Sequence, residues 1–309
     1  MMRKAHPCEG AGAEKKNMNI NIEDYKGRNI KDRQPTETLK KLWDVKWNCM
    51  RLTFGDNVDF ERMNDEILYC PETESYLYDC PPPTPRYERG TRPILEKIVD
   101  EVIKGLTTDR ERALALLAYC ENLKWKSGNR DYFYGGTEEE LIKKGEKYCE
   151  RLARLMVALC EIANIPARTI HHFVGGHETA EVYIESGWAY VDPRHALFCV
   201  DKNDKMLSFR EILANRDVIF DQPKWVADMA NKEFPYEKRQ KMNAYCFFCP
   251  GERQLFAEYH LGDADRYHFE WLPSTEAFAV PERDNYYRDV YAPLRKIALA
   301  EIGATYTDF

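Results

Sequence analysis

Cys149, His177 and Asp192 are the residues of this 309-residue chain whose types and order could supply a nucleophile, its base and the group that orients the base. The chain has ten cysteines, so the position of Cys149 has to single it out. It opens the run "CERLARLMVALCEIANIPAR", in which Leu152, Leu155, Met156, Leu159 and Ile162 or Ala163 recur at helical spacing. A thiol in the first turn of a helix lies at the positive end of the helix dipole, which favours the thiolate. The unpaired backbone N–H groups of that turn can also hold an oxyanion. Gly145, four residues earlier, leaves the approach uncrowded. The competing reading of any one such cysteine is a buried thiol that does nothing but pack.

His177 opens the alternating segment "HETAEVYI" and Asp192 closes "WAYVD". Alternation of apolar and polar residues marks strands. With Ser186-Gly187 as a two-residue turn, Glu181 pairs with Asp192, and parity puts His177, Glu181 and Asp192 on one face of the sheet. Glu181 is therefore a candidate supporting residue. That register leaves His177 four residues from Asp192 along the sheet, so a wider loop or a bulge is expected. Taken singly, a histidine at a strand start is an ordinary polar residue, and an aspartate before Pro193 is a turn opener. His171 and His172 are adjacent on the preceding strand, so only one can face inward, and both are read as structural.

The elements around these residues fall in a clear order. After a polar tail, residues 1–29, "TETLKKLWDVKWNCMRLTFG" has helical spacing, and five prolines from Pro81 to Pro93 mark a rigid connector. Ile94 to Leu106 reads as an amphipathic helix with Gly105 near its end, and a second helix follows with Thr107 or Thr108 as its N-cap. Thr137 with Glu140 forms a capping box for a short helix just before Cys149. Helices come first and strands after, an α+β arrangement. Four segments are expected: the tail 1–29, a helical segment and connector 30–92, a catalytic core 93–212, and an aromatic-rich segment 213–309 packed on that core.

Gly145-x-x-x-Cys149, then "ERLARLMVALCEIANIPAR", His177-x-x-x-Glu181-Val182-Tyr183 and Trp188-x-x-Val191-Asp192-Pro193 together resemble the transglutaminase-like superfamily. That superfamily holds transglutaminases, bacterial cysteine proteases and peptide N-glycanases. The resemblance covers Ile94 to Glu211 and implies a papain-like α+β core, with the cysteine-bearing helix packed on an antiparallel sheet. It implies Cys149 as nucleophile, His177 as base and then acid, and Asp192 as the residue that orients the imidazole. In that family the cysteine amide contributes to the oxyanion hole together with an upstream side chain. Trp125 is the candidate here, with Tyr132 and Tyr134 as rivals. Glu178 departs from the family's small or apolar residue beside the histidine, and either raises the histidine pKa or points to the other face. His195 follows Asp192 too closely to be oriented by it in the family's manner.

Other features narrow the function. The net charge of −7 favours neither nucleic acid nor an anionic membrane, and no apolar run is long enough to span one. The tail lacks an apolar signal region, so a cytoplasmic setting with free thiols is expected. Cys246 and Cys249 form a lone CxxC that would need His260 or His268 to hold zinc, and core thiols are the preferred reading. No metal and no cofactor are expected. The expected function is a cysteine-nucleophile enzyme that acts on a peptide or other amide through a thioester, of protease or amidase type. An amine acceptor instead of water would make it an acyltransferase. A catalytically silent binding module, or a zinc-stapled interaction protein, are the alternatives of another class. Oligomeric state is not legible.

Overall fold

The computed structural model describes residues 20–54, 65–123, 137–145, 148–172, 176–229, 235–244, 247, 254–258 and 285–301. The expected oxyanion donor Trp125, its rivals Tyr132 and Tyr134, and the CxxC cysteines with His260 and His268 lie outside these residues.

The helices precede the central strands, as read from the sequence. They are α1 (Glu37–Phe54), α2 (Pro71–Tyr78), α3 (Pro93–Val102), α4 (Asp109–Asn122), α5 (Glu138–Lys144) and α6 (Cys149–Ile162). Thr108, rather than Thr107, caps α4, with Glu111 closing the box. Thr137 and Glu140 do the same for α5. Each box satisfies backbone N–H groups that the first turn leaves unpaired. The amphipathic helix over 94–106 is shorter than its pattern: it ends at Val102, and Ile94 faces solvent.

Among the described residues the sheet has five strands, all antiparallel, in the order β1-β5-β2-β3-β4. These are β1 (Ile67–Leu68), β2 (Ala167–His172), β3 (His177–Ile184), β4 (Gly187–Val191) and β5 (Gln254–Glu258). The three strands read from the sequence form one edge, and the flanking segments add β1 and β5. Further helices follow β4: α7 (Phe209–Ala214), α8 (Lys224–Met229), α9 (Tyr236–Ala244) and α10 (Ala292–Glu301).

One sheet face packs on α6. Ala180, Val182, Ala189 and Val191 meet Leu152, Leu155, Met156 and Leu159 in a single buried cluster. From Arg151 to Ile162 every residue of α6 is buried. A helix covered on all sides is wider in its burial than the stripe its apolar spacing predicts. Its polar side chains are matched: Arg154 meets Glu138 at 3.3 Å, and Glu161 accepts the Arg86 amide at 3.1 Å. The other sheet face carries Ile170, Tyr190, Phe209 and Phe247. There Arg168 makes two bonds to Glu181 Oε2, at 2.9 and 2.6 Å, while its guanidinium lies 3.9 Å from the Trp188 ring centre. Among the described residues, Cys70, Cys120, Cys160 and Cys199 are buried free thiols.

Candidate active site

The hairpin between β3 and β4 sets the geometry. Ile184 pairs with Gly187, so the two-residue turn is Glu185-Ser186 and not Ser186-Gly187. Both turn residues have positive φ, 51° and 64°, as the tight hairpin turn that matches strand twist requires. The register therefore shifts by two from the one expected. Glu181 stands opposite Tyr190, not Asp192. Continued by one pair, the ladder sets Asp192 level with Thr179, two residues from His177 instead of four. At about 3.4 Å per residue that halves the separation to roughly 7 Å. The expected bulge or wide loop is absent from this hairpin, and none is needed. The parity expectation stands, since a shift of two preserves the face.

Two residues apart on one face, His177 and Asp192 bond directly. His177 Nε2 lies 2.9 Å from Asp192 Oδ2. His177 is 12% exposed and Asp192 is fully buried. Cys149 is the first residue of α6 and His177 the first of β3. The Cys149 thiol is near enough to the imidazole to favour its charged form. Because Nε2 is committed to Asp192, Nδ1 is the ring nitrogen left for Cys149. The thiol also lies 3.6 Å from Glu150 Oε2, its neighbour in the first turn.

Burial acts to lower the His177 pKa, but the Asp192 carboxylate, helped by Cys149, outweighs it and pushes the imidazole up to about 10. Burial likewise opposes the Asp192 charge. The histidines beside it, His195 foremost and then His177, hold its carboxyl well below the usual range. An imidazolium between a carboxylate and a thiol is the charge arrangement that stabilises a thiolate.

His195 corrects an expectation. Its Nδ1 lies 2.8 Å from the same Asp192 Oδ2, so Asp192 does orient a histidine three residues on. The chain folds back there: the Asp192 carbonyl accepts the His195 and Leu197 amides, each at 3.2 Å, and Ala196 takes a left-handed φ of 50°. Hydrophobic periodicity carries no signal for such a turn. The Asp-Pro dipeptide was the available clue to it.

The remaining candidates sit nearby in distinct roles. His172 pairs across the ladder with His177, and their rings stack at 6.2 Å. It is fully buried, bonds Thr179 Oγ1 at 3.1 Å, and burial keeps its pKa well below the ordinary value. His171 points to the opposite face, where Lys46 Nζ is 2.9 Å and Glu66 3.3 Å away. Glu178 neighbours His177 along β3 and so points to the face opposite it. Glu181 shares the face of His177, but its carboxylate is taken up by Arg168, by the Tyr78 hydroxyl at 3.0 Å and by the Phe209 amide at 2.8 Å. It braces α2, the sheet and α7 against one another.

His177, Asp192 and His195 also offer two ring nitrogens and a carboxylate oxygen within 4.8 Å of one another. That ligand set suits a transition metal in kind. The imidazole–carboxylate hydrogen bonds already account for the same atoms.

Residues 96–193 match the family model of the transglutaminase-like superfamily. The α+β arrangement of the described residues accords with that match. A solved chain from Cytophaga hutchinsonii, a candidate cysteine protease, is similar at 22% identity and a TM-score of 0.28. The match covers 34% of this chain and 38% of that one, well under half of either. No curated protein matches the chain. Among the described residues, no helix is long and apolar enough to cross a membrane.

Proposed function

We propose that the protein is a cysteine hydrolase in which Cys149 is the nucleophile, His177 the general base and then acid, and Asp192 the residue that fixes the imidazole. The substrate is a peptide or other amide. The observation that carries this reading is the continuous contact from the Cys149 thiol through the His177 ring to the buried Asp192 carboxylate.

The chemistry follows from the ring nitrogens. Asp192 on Nε2 leaves Nδ1 to take the thiol proton. The thiolate attacks the amide carbon and forms a C–S bond, and the carbonyl oxygen becomes an oxyanion. Backbone N–H groups of the first turn of α6 face that charge with no partner inside the helix. The tetrahedral adduct collapses as His177 gives its proton to the leaving nitrogen, the C–N bond breaks, and a thioester remains. Water, deprotonated by the same imidazole, then attacks the thioester carbon and releases the acid and the thiol. The same residues serve an amine acceptor, which would make the product a new amide. Hydrolysis is preferred on the resemblance of the sequence motifs to the transglutaminase-like superfamily, which includes bacterial cysteine proteases.

Iodoacetamide labelling resolved cysteine by cysteine, across pH 5 to 10, tests the assignment. Cys149 is expected to label fastest near neutral pH and to slow about a hundredfold or more in His177→Ala. Cys149→Ala should abolish amide hydrolysis in a panel of model peptides and leave the unfolding midpoint nearly unchanged, while Cys160→Ala should keep activity. A Cys149 that labels no faster than an exposed model thiol at any pH would refute the pair.

A further inference from the structure

We infer that His195 is a second imidazole donor to Asp192 and a positioning residue for His177, held in place by Arg239 of the C-terminal segment. The inference rests on the assignment of Cys149, His177 and Asp192 given above.

The Asp192 carboxylate is fixed on both oxygens. Oδ1 accepts the backbone amides of Arg194 at 3.0 Å and His195 at 3.3 Å. Oδ2 accepts from two imidazoles, His177 Nε2 at 2.9 Å and His195 Nδ1 at 2.8 Å. Asp192 is a carboxylate, an acceptor only, so each of these ring nitrogens must carry the proton. An aspartate χ2 is soft by itself, with two broad wells. Donors on both oxygens remove that freedom and aim one lone pair of Oδ2 at His177.

His195 is itself anchored. It is 5% exposed. Its carbonyl accepts Arg239 Nη1 at 2.7 Å. Arg239 comes from α9, is 1% exposed, and sets Nη2 3.5 Å from Glu121 Oε1 on α4. A connected path thus runs Glu121–Arg239–His195–Asp192–His177, from α4 and α9 to the reacting imidazole. A buried Arg and Glu are costly to desolvate unless they bond something specific. His195 Nε2 has no hydrogen-bond partner among the described residues. Burial of one ring nitrogen without a partner is the cost of presenting the other to Asp192. A histidine needed only to fill space would not carry that cost when a leucine fits a similar volume.

The charged and titratable groups facing this cluster are Cys149 from α6, His172 from β2, His177 from β3, and Arg239 from α9 with Glu121 behind it. His177 and His195 both bond Asp192 Oδ2, so loss of the His195 ring removes one of these two imidazole donors.

Two measurements test the inference. In the native full-length protein, long-range nitrogen–proton NMR of the histidine rings is expected to show His195 protonated at Nδ1. A neutral His195 with its proton on Nε2 overturns the inference with no variant needed. The variants His195→Asn and His195→Gln then separate donation from packing, since an Asn amide nitrogen lies near the Nδ1 position and a Gln amide near Nε2. His195→Asn is expected to keep the Cys149 alkylation rate at pH 7 within about threefold and the His177 titration midpoint in place. His195→Gln is expected to slow alkylation tenfold or more and move that midpoint. Equal behaviour of the two variants in both readouts overturns the inference, even if both lower the unfolding midpoint. If Cys149 proves unreactive in the native protein, the proposed function fails. The His195 tautomer and the His177 midpoint still decide the inference on their own.

Discussion

Replacing Asp192 by Asn changes one atom at the centre of the site and should have two linked effects. The amide nitrogen that takes the place of Oδ2 is a donor where His177 Nε2 and His195 Nδ1 need an acceptor. His177 must then move its proton to Nδ1, the nitrogen facing Cys149, and can no longer accept the thiol proton. By comparison with other triads, wrong-tautomer substitution costs on the order of 10³–10⁴ in rate. The charge effect can be sized separately. With Asp192 present the His177 pKa is pushed up to about 10, against an ordinary value of about 6.5, and each pKa unit is about 1.4 kcal/mol. The imidazolium is thus favoured by roughly 5 kcal/mol, and that preference is a stability contribution with a definite pH window. Below about pH 6.5 the folded and unfolded states both hold the proton and the contribution is full. Between about 6.5 and 10 the unfolded chain releases it first, and stability falls by up to about 1.4 kcal/mol per pH unit. Above about 10 the contribution is gone. In Asp192→Asn the carboxylate no longer raises the His177 pKa and only Cys149 works against burial, so the window narrows. Urea unfolding of both proteins at pH 6, 8 and 10 should show the gap between them shrink as pH rises. Other titrating groups are common to both and cancel in the difference. A gap that stays constant across that range, or Cys149 alkylation unchanged at pH 7, would refute the reasoning.

Two further outcomes concern the frame around the site. Arg168→Met leaves the fully buried Glu181 carboxylate without this cationic partner and should destabilise by about 3–5 kcal/mol, while Arg168→Met with Glu181→Leu should recover most of it; denaturant midpoints check both, and no recovery in the double variant would mean the pair is not the reason. Leu155→Ala, in the middle of α6 with no exposure, should lose about 2–5 kcal/mol while the folded protein keeps its Cys149 alkylation rate at low temperature; a rate that drops with the midpoint would mean that core packing, and not the local turn, sets the site.

The site was legible to the extent that it depends on local pattern. Cys149 could be placed on a helix start because apolar spacing and the preceding capping box both mark one. His177 and Asp192 could be placed on one face because side-chain parity follows from a period of two. Register was another matter. A two-residue turn at Ser186-Gly187 or at Glu185-Ser186 fits the same alternation, and only the positive φ of Glu185 and Ser186 decides between them. Glu181 was placed on the correct face, but its engagement by Arg168 across the β2–β3 ladder needed a strand pairing that parity cannot supply.

By itself the sequence determined the order of helices and strands, the caps of α4 and α5, the face shared by His177 and Asp192, and the three residue types that can do thiol chemistry. These depend on neighbours within about one helical turn or one strand, where spacing and backbone preference act directly. Tertiary structure alone decided the rest: the register that brings Asp192 within 2.9 Å of His177, the return of His195 onto the same carboxylate, and the reach of Arg239 to the His195 carbonyl. It also recruited β1 and β5 into the sheet from segments far apart in the chain. Such contacts join residues whose spacing in sequence carries no trace of their meeting, because they are fixed by how whole elements pack and not by any repeat along the chain.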